Sequence, residues 1–158
     1  KYKNMKKLMY FFVSILMLSC ANVEKEASEP AVVKNSESEA ISFIIDLKVN
    51  PESTEDLDGF IQEITENVLN TEDFCIEYAY YVSEDRTSVT LYEKYIDSES
   101  GVKHGQNFMA SSFFDRFFNL FTLTKFIVTG PASDDFKKFT SENGFVIEYR
   151  NSVDGFVR

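Results

Sequence analysis

The sequence predicts an α+β domain in which strands and helices follow the order β-α-β-β-α-β. Three observations carry that expectation. Residues 41–49 are apolar at every second position, the period of a half-buried strand. Residues 57–68 switch to helical spacing. Two strand-like runs of similar length, around residues 74–82 and 88–96, are separated by only five polar residues, which predicts an antiparallel hairpin.

In the first strand Ile41, Phe43, Ile45, Leu47 and Val49 share one face, with Ser42, Asp46 and Lys48 on the other and Ile44 the exception. Asn50-Pro51 ends it, and Ser53 with Asp56 reads as a capping signal for a helix over residues 54–70. Leu57, Phe60, Ile61, Ile64 and Val68 form its apolar stripe. The second strand is expected to place Phe74, Ile76, Tyr78, Tyr80 and Val82 on one face, with Cys75, Glu77, Ala79 and Tyr81 on the other. After the loop Ser83–Thr87, the third strand (Ser88–Ile96) shows Val89, Leu91, Glu93 and Tyr95 on one side.

The next helix is the most aromatic. Ala110, Phe113, Phe114, Phe117, Phe118 and Phe121 fall at i, i+3, i+4, i+7, i+8 and i+11. A short strand, Lys125–Thr129, follows and stops at Gly130-Pro131. A helical pattern over Ser133–Asn143, a C-cap Gly144 and a short strand Phe145–Tyr149 complete the domain, while Asp154-Gly155-Phe156 receives no assignment. The order is the ferredoxin-like one, with two helices on one face of an antiparallel sheet. The uncovered face would still hold Ile44, Ala79 and Tyr81, which predicts a homodimer packed back to back.

The chain has 158 residues and a net charge of −10, with 16 Phe, 8 Tyr and no Trp. That is ample apolar mass for one core, and the acidic balance argues against nucleic acid as a partner. Two Cys and one His exclude a disulfide scaffold and give no transition-metal set. No Gly-rich phosphate loop and no GxSxG nucleophile elbow is present. The acidic pairs Glu72/Asp73, Glu84/Asp85 and Asp134/Asp135 read as solvated caps and loops.

The N-terminal segment reads as an address. Lys1, Lys3, Lys6 and Lys7 precede an uncharged run, Leu8–Leu18, of eleven residues. As a helix such a run rises ~16 Å, too short to span a ~30 Å hydrocarbon core but suited to a secretory signal. Met5 reads as the start, with Lys1–Asn4 upstream of it. Met17-Leu18-Ser19-Cys20-Ala21 resembles a bacterial lipobox, with Met17 where Leu is usual. Residues 1–19 are therefore expected to be a signal peptide and Cys20 the lipidated N-terminus. Residues 20–39 would form a flexible tether, and residues 40–158 the folded domain. The expected location is the bacterial cell envelope, outside the cytoplasm. Cys75 would then be the one free thiol, set in an apolar strand as a small core residue.

Residues 40–130 also resemble the antibiotic biosynthesis monooxygenase (ABM) domain of the dimeric α+β barrel superfamily. The likeness rests on Val49-Asn50-Pro51 leading into an amphipathic helix, and on Asn70-Thr71-Glu72 before Cys75. It also rests on Glu93-Lys94-Tyr95-Ile96-Asp97, which is similar to the family's E-x-W/Y-x-D, and on His104 seven residues after Asp97. The resemblance implies a small oxygenase, or a relative of one, that works without a cofactor. Its substrate would be a quinol- or anthrone-like aromatic held in an apolar cleft. The alternative is a non-catalytic module of the same fold that binds an apolar ligand or serves as a dimeric structural unit.

Such chemistry needs a base and a donor for a developing oxyanion. His104, Glu93 and Tyr95 are the candidate catalytic residues, and Tyr78, Tyr80, Phe113 and Phe117 the candidate substrate-binding ones. Each has a plainer alternative. His104 would sit at a helix start and bond Glu93 or the backbone, Glu93 would form a cross-strand ion pair, and the Tyr and Phe side chains would be core. Characterised relatives use Trp and Asn in the cleft, and this chain has no Trp. The apolar Ile45, near the position where the haem-degrading branch carries Asn, speaks against haem as a substrate.

Overall fold

The computed structural model describes residues 32–157. The expected signal peptide, the Cys20 lipidation site and most of the tether lie outside the described residues.

The elements are β1 (Val33–Lys34), a 3-10 turn (Asn35–Glu37), β2 (Ile41–Val49), α1 (Leu57–Thr71), β3 (Cys75–Val82), β4 (Ser88–Tyr95), α2 (Ser98–Ala110), α3 (Phe113–Leu120), β5 (Phe121–Thr129), α4 (Asp134–Glu142), β6 (Glu148–Arg150) and β7 (Phe156–Val157). The main sheet has five strands in the order β3-β4-β2-β5-β6. Its first four strands are antiparallel in the ferredoxin-like order. β6 adds a fifth strand parallel to β5, and α4 supplies the crossover that a parallel pair needs.

The period-two pattern of β2 does what it predicts. Ile41, Phe43, Ile45 and Leu47 are buried beneath the helices, beside Val89, Leu91, Glu93 and Tyr95 of β4. From α1, Leu57, Phe60 and Ile64 close the same core, and Val68 is buried on the same helix. Asp56, not Ser53, caps this helix by accepting from Gly59 N, so it begins at Leu57; the Ser53 hydroxyl accepts from Glu55 N instead. The turn after β2 is tied down by Asn50, whose Nδ2 donates to the Asn119 carbonyl at 3.1 Å while its Oδ1 accepts from the Thr122 hydroxyl.

Three further details depart from the sequence expectation. A bulge between Cys75 and Glu77 shifts the register of β3, so Cys75 packs against the core opposite Tyr95 while Ile76 turns out to solvent. The extra residue turns Cys75 inward, while Phe74 before it stays buried in the core. The aromatic segment is not one helix: α2 precedes it, a break falls at Ser111-Ser112, and Phe121 already belongs to β5. Phe121 pairs with Val49, so β5 runs alongside nearly the whole of β2; its place at i+11 of the helical stripe is a coincidence of two inward-facing periods. Finally, β1 falls in the segment expected to be tether and pairs with β7, which accounts for the unassigned C-terminal turn. Asn35 N donates to the Gly155 carbonyl at 2.9 Å beside that ribbon.

The outer face of the sheet carries Ser42, Ile44 and Asp46 on β2, opposite Lys94, Tyr92 and Thr90 on β4. It mixes charge with apolar surface, and Tyr81 is largely exposed on it. Among the described residues no helix is long and apolar enough to cross a membrane.

Candidate functional site

The candidate site lies between the inner face of the sheet and α2, α3 and α4. Register builds its floor: Tyr78 on β3, Glu93 on β4 and Phe43 on β2 lie side by side across three strands. Two residues toward one end, Tyr80, Leu91 and Ile45 form the next row. The roof is α2, capped by Asp97, whose carboxylate accepts from Ser100 N at 2.8 Å. Gly101 lets α2 sit close: a Cβ there would lie 2.8 Å from Ile41 Cδ1 and 3.0 Å from Phe136 Cε2.

This approach brings His104 onto the sheet. It lies in the middle of α2, not at a helix start, and is 7% exposed. Its Nδ1 is 2.8 Å from Glu72 Oε2, and its Nε2 is 3.6 Å from Glu93 Oε2. The Tyr95 hydroxyl donates to that same Glu93 oxygen at 2.8 Å, and Asn107 Nδ2 donates to Glu72 Oε1 at 3.0 Å. The imidazole also packs against Tyr95, with ring centroids 5.0 Å apart.

Glu72 corrects the sequence reading. Beside Asp73 at the end of a helix it reads as a solvated cap, yet it is 4% exposed and joined to His104. A buried histidine needs a partner for each ring nitrogen, but the sequence does not single out Glu72 as one of them. Asp73 stays exposed, as expected of a cap.

The electrostatics follow from burial and pairing. Burial pushes the Glu72 carboxyl up, but hydrogen bonds from His104 and Asn107 and the imidazole's charge outweigh it, so its pKa falls below the usual value. Burial pushes Glu93 up, and the nearby imidazole and Tyr95 only partly offset this. For His104, burial alone would favour the neutral ring; the charges of Glu93 and Glu72 and the Glu72 hydrogen bond reverse that, and its pKa rises. Tyr78 and Tyr95 are held far from ionisation by burial.

A cavity of about 60 Å³ adjoins this cluster. Phe43, Phe108, Phe117, Phe118, Phe126 and Phe145 are among the apolar side chains that line it, and Tyr78, Glu93 and His104 give it one polar corner. Of the sequence-predicted residues, His104, Glu93, Tyr78 and Phe117 reach the cavity wall. Tyr95 stands behind Glu93. Tyr80 is one place back, its hydroxyl 3.1 Å from that of Tyr78. Phe113 packs on Phe60 and lines a separate, smaller cavity behind His104. Phe108 and Gly101 went unnoticed in the sequence because α2 itself did. Among the described residues no cluster of His, Cys, Asp and Glu is arranged to hold a metal ion.

No protein-family model matches the chain, and no curated protein sequence is significantly similar to it. Solved structures do resemble it. MupZ from Pseudomonas fluorescens superposes with a TM-score of 0.63 at 16% identity, over 77% of this chain and 96% of that one. Rv0793 from Mycobacterium tuberculosis gives 0.49 at 18% identity, over 60% and 97%. SnoaB, a cofactor-independent oxygenase from Streptomyces nogalater, gives 0.48 at 9% identity, over 61% and 96%. With the strand order and the MupZ superposition in hand, the fold of this chain is the ferredoxin-like α+β fold.

Proposed function

We propose that the protein is an acid–base catalyst acting on a small aromatic molecule of quinol or anthrone type, as a monooxygenase that uses no cofactor. The observation that carries this reading is the polar corner of Tyr78, Glu93 and His104 in a cavity whose remaining wall is mostly Phe and aliphatic side chains. The resemblance of residues 40–130 to ABM domains supports it.

In this reading the Glu93 carboxylate takes the proton from the substrate, its raised pKa making it a better base than an exposed glutamate. The His104 imidazolium donates to the oxygen on which charge develops. The substrate anion then reacts with dioxygen. For an anthrone the overall change is CH2 plus O2 to C=O plus H2O, which balances with no added reductant. The phenylalanine wall keeps water from competing.

The cavity at rest is smaller than the ~150 Å³ that holds one benzene ring. Substrate must therefore turn wall side chains aside. Phe118, Leu123, Phe126 and Phe145 stand between the cavity and an outer groove of about 480 Å³, and are the side chains to move. The same small volume favours the second reading, a non-catalytic module of this fold.

Oxygen consumption with a panel of quinols and anthrones separates the two. The catalytic reading expects turnover by the wild type and loss of at least tenfold in Glu93→Gln and His104→Ala. No turnover with any substrate, or undiminished turnover in both variants, sinks it. The proposal further places the protein on the envelope, lipidated at Cys20, as a homodimer through the outer face of the sheet. Release of a Cys20→Ser variant from membranes is the outcome expected of the anchor, and its retention there would count against lipidation.

A further inference from the structure

His104 stands between two buried glutamates, and the arrangement is lopsided. Glu72 lies at hydrogen-bonding distance of Nδ1, with its second oxygen held by Asn107. Glu93 lies at the longer 3.6 Å from Nε2, and the oxygen it presents already accepts from Tyr95. A carboxylate is an acceptor only, so the hydrogen on the Glu72 side belongs to Nδ1. One further proton remains to be placed, on Nε2 or on Glu93.

We propose that Glu72 is a positioning residue that decides where that proton sits: its charge behind the ring keeps the proton on His104 and so leaves Glu93 ionised toward the cavity. With Glu72 neutralised, burial favours the neutral pair, a protonated Glu93 beside an uncharged imidazole. Glu93 then has no capacity to accept a proton, and His104 has none to donate toward the cavity. This rests on the functional reading above for its consequence in catalysis, but the location of the proton is a property of the resting protein. The other groups near the ring do not substitute for Glu72. Tyr78 on β3 and Tyr95 on β4 are neutral. Cys75 is a neutral thiol. Lys103 acts on Glu72 from the solvent side of α2, and as a cation favours its ionised form.

His104 is the only histidine of the chain, so its ring can be read alone by 15N NMR. In the wild type at pH 7 both ring nitrogens are expected at imidazolium shifts. In Glu72→Gln the ring should be neutral at pH 7, with its titration midpoint lowered by at least one pH unit. Glu72→Asp, which keeps the charge, should restore the imidazolium in most of the population. A wild-type ring that is neutral at pH 7 overturns the proposal without any variant, as does a Glu72→Gln titration that coincides with the wild type. Because these spectra need no substrate, a failed oxygen assay with the expected spectra removes the proposed reaction and leaves the proton assignment standing.

Discussion

The Tyr95 hydroxyl reaches back along its own strand to Glu93, two residues earlier, and donates to its carboxylate at 2.8 Å inside the core. Alternation along β4 puts both side chains on the inner face, so a single strand delivers an acid and its donor to a place water does not reach. A lone buried carboxylate would be costly. With Tyr95 and His104 around it, Glu93 becomes a group that can be kept ionised.

Stability should therefore depend on pH from both sides. The Glu72 pKa is depressed by folding, so its contribution is present above the ordinary glutamate value of about 4.3 and is lost as pH falls through the lowered one. The His104 pKa is raised, so its contribution is full below about 6.5 and is lost as pH rises through the folded value. Glu93 is raised too, and its stabilisation likewise disappears as pH climbs through its folded value. Urea midpoints should be highest on the acid side of neutrality and decline toward both pH 3 and pH 9. A midpoint that is flat from pH 6 to 9 would count against the His104 assignment.

Gly101→Ala should destabilise the domain. Helix propensity alone would gain about 1 kcal/mol. The new methyl would meet Ile41, Phe136 and Phe43 at 2.8–3.2 Å, and overpacking of this kind costs about 1–3 kcal/mol. The net expectation is a loss of up to about 2 kcal/mol in urea or thermal unfolding. An unchanged or increased midpoint would show that α2 can lift from the sheet freely.

Cys75 should be a sluggish thiol. Burial, reinforced by the charges of Glu93 and Glu72, pushes it up to about 12. Alkylation of the folded domain at pH 8 is expected to be roughly a hundredfold slower than that of free cysteine, and to approach the free rate in denaturant. Mass spectrometry of a Cys20→Ser chain reads this directly, and rapid labelling of the folded protein is the contrary result.

The outer face of the sheet gives a test of assembly. Ile44 sits opposite Tyr92 on one side and Ile127 on the other, the centre of the least polar part of that face. The wild-type domain is expected to sediment at twice the monomer mass, and Ile44→Glu to shift it toward the monomer. A monomeric wild type, or a variant that still dimerises, argues that this face is not the contact.

How much of this was legible in the sequence depends on the range of the interaction. β2 and α1 could be read because their apolar periods are uninterrupted and each buries one continuous face. Glu93 and Tyr95 could be placed inward by alternation alone. α2 was missed because Ser98–Ala110 is polar and holds two glycines that weaken helix propensity; its buried face is made of Ser98, Ser100, Gly101 and His104, with Val102 and Phe108 packed beside them. Asp97, the capping residue, was the local cue. Glu72 was misread for a related reason. Its burial is imposed by His104, 32 residues away, and nothing local distinguishes it from Asp73.

The β1–β7 ribbon puts residues 33–34 and 156–157 side by side, so the domain's entrance and exit share one corner. Tension arriving along the chain from residue 32 would meet two short backbone rungs before it reached the five-stranded sheet. The hydrogen bonds and ion pairs of His104, Glu72 and Glu93 run to other residues, so separating the two ribbon strands would leave that cluster's own contacts in place.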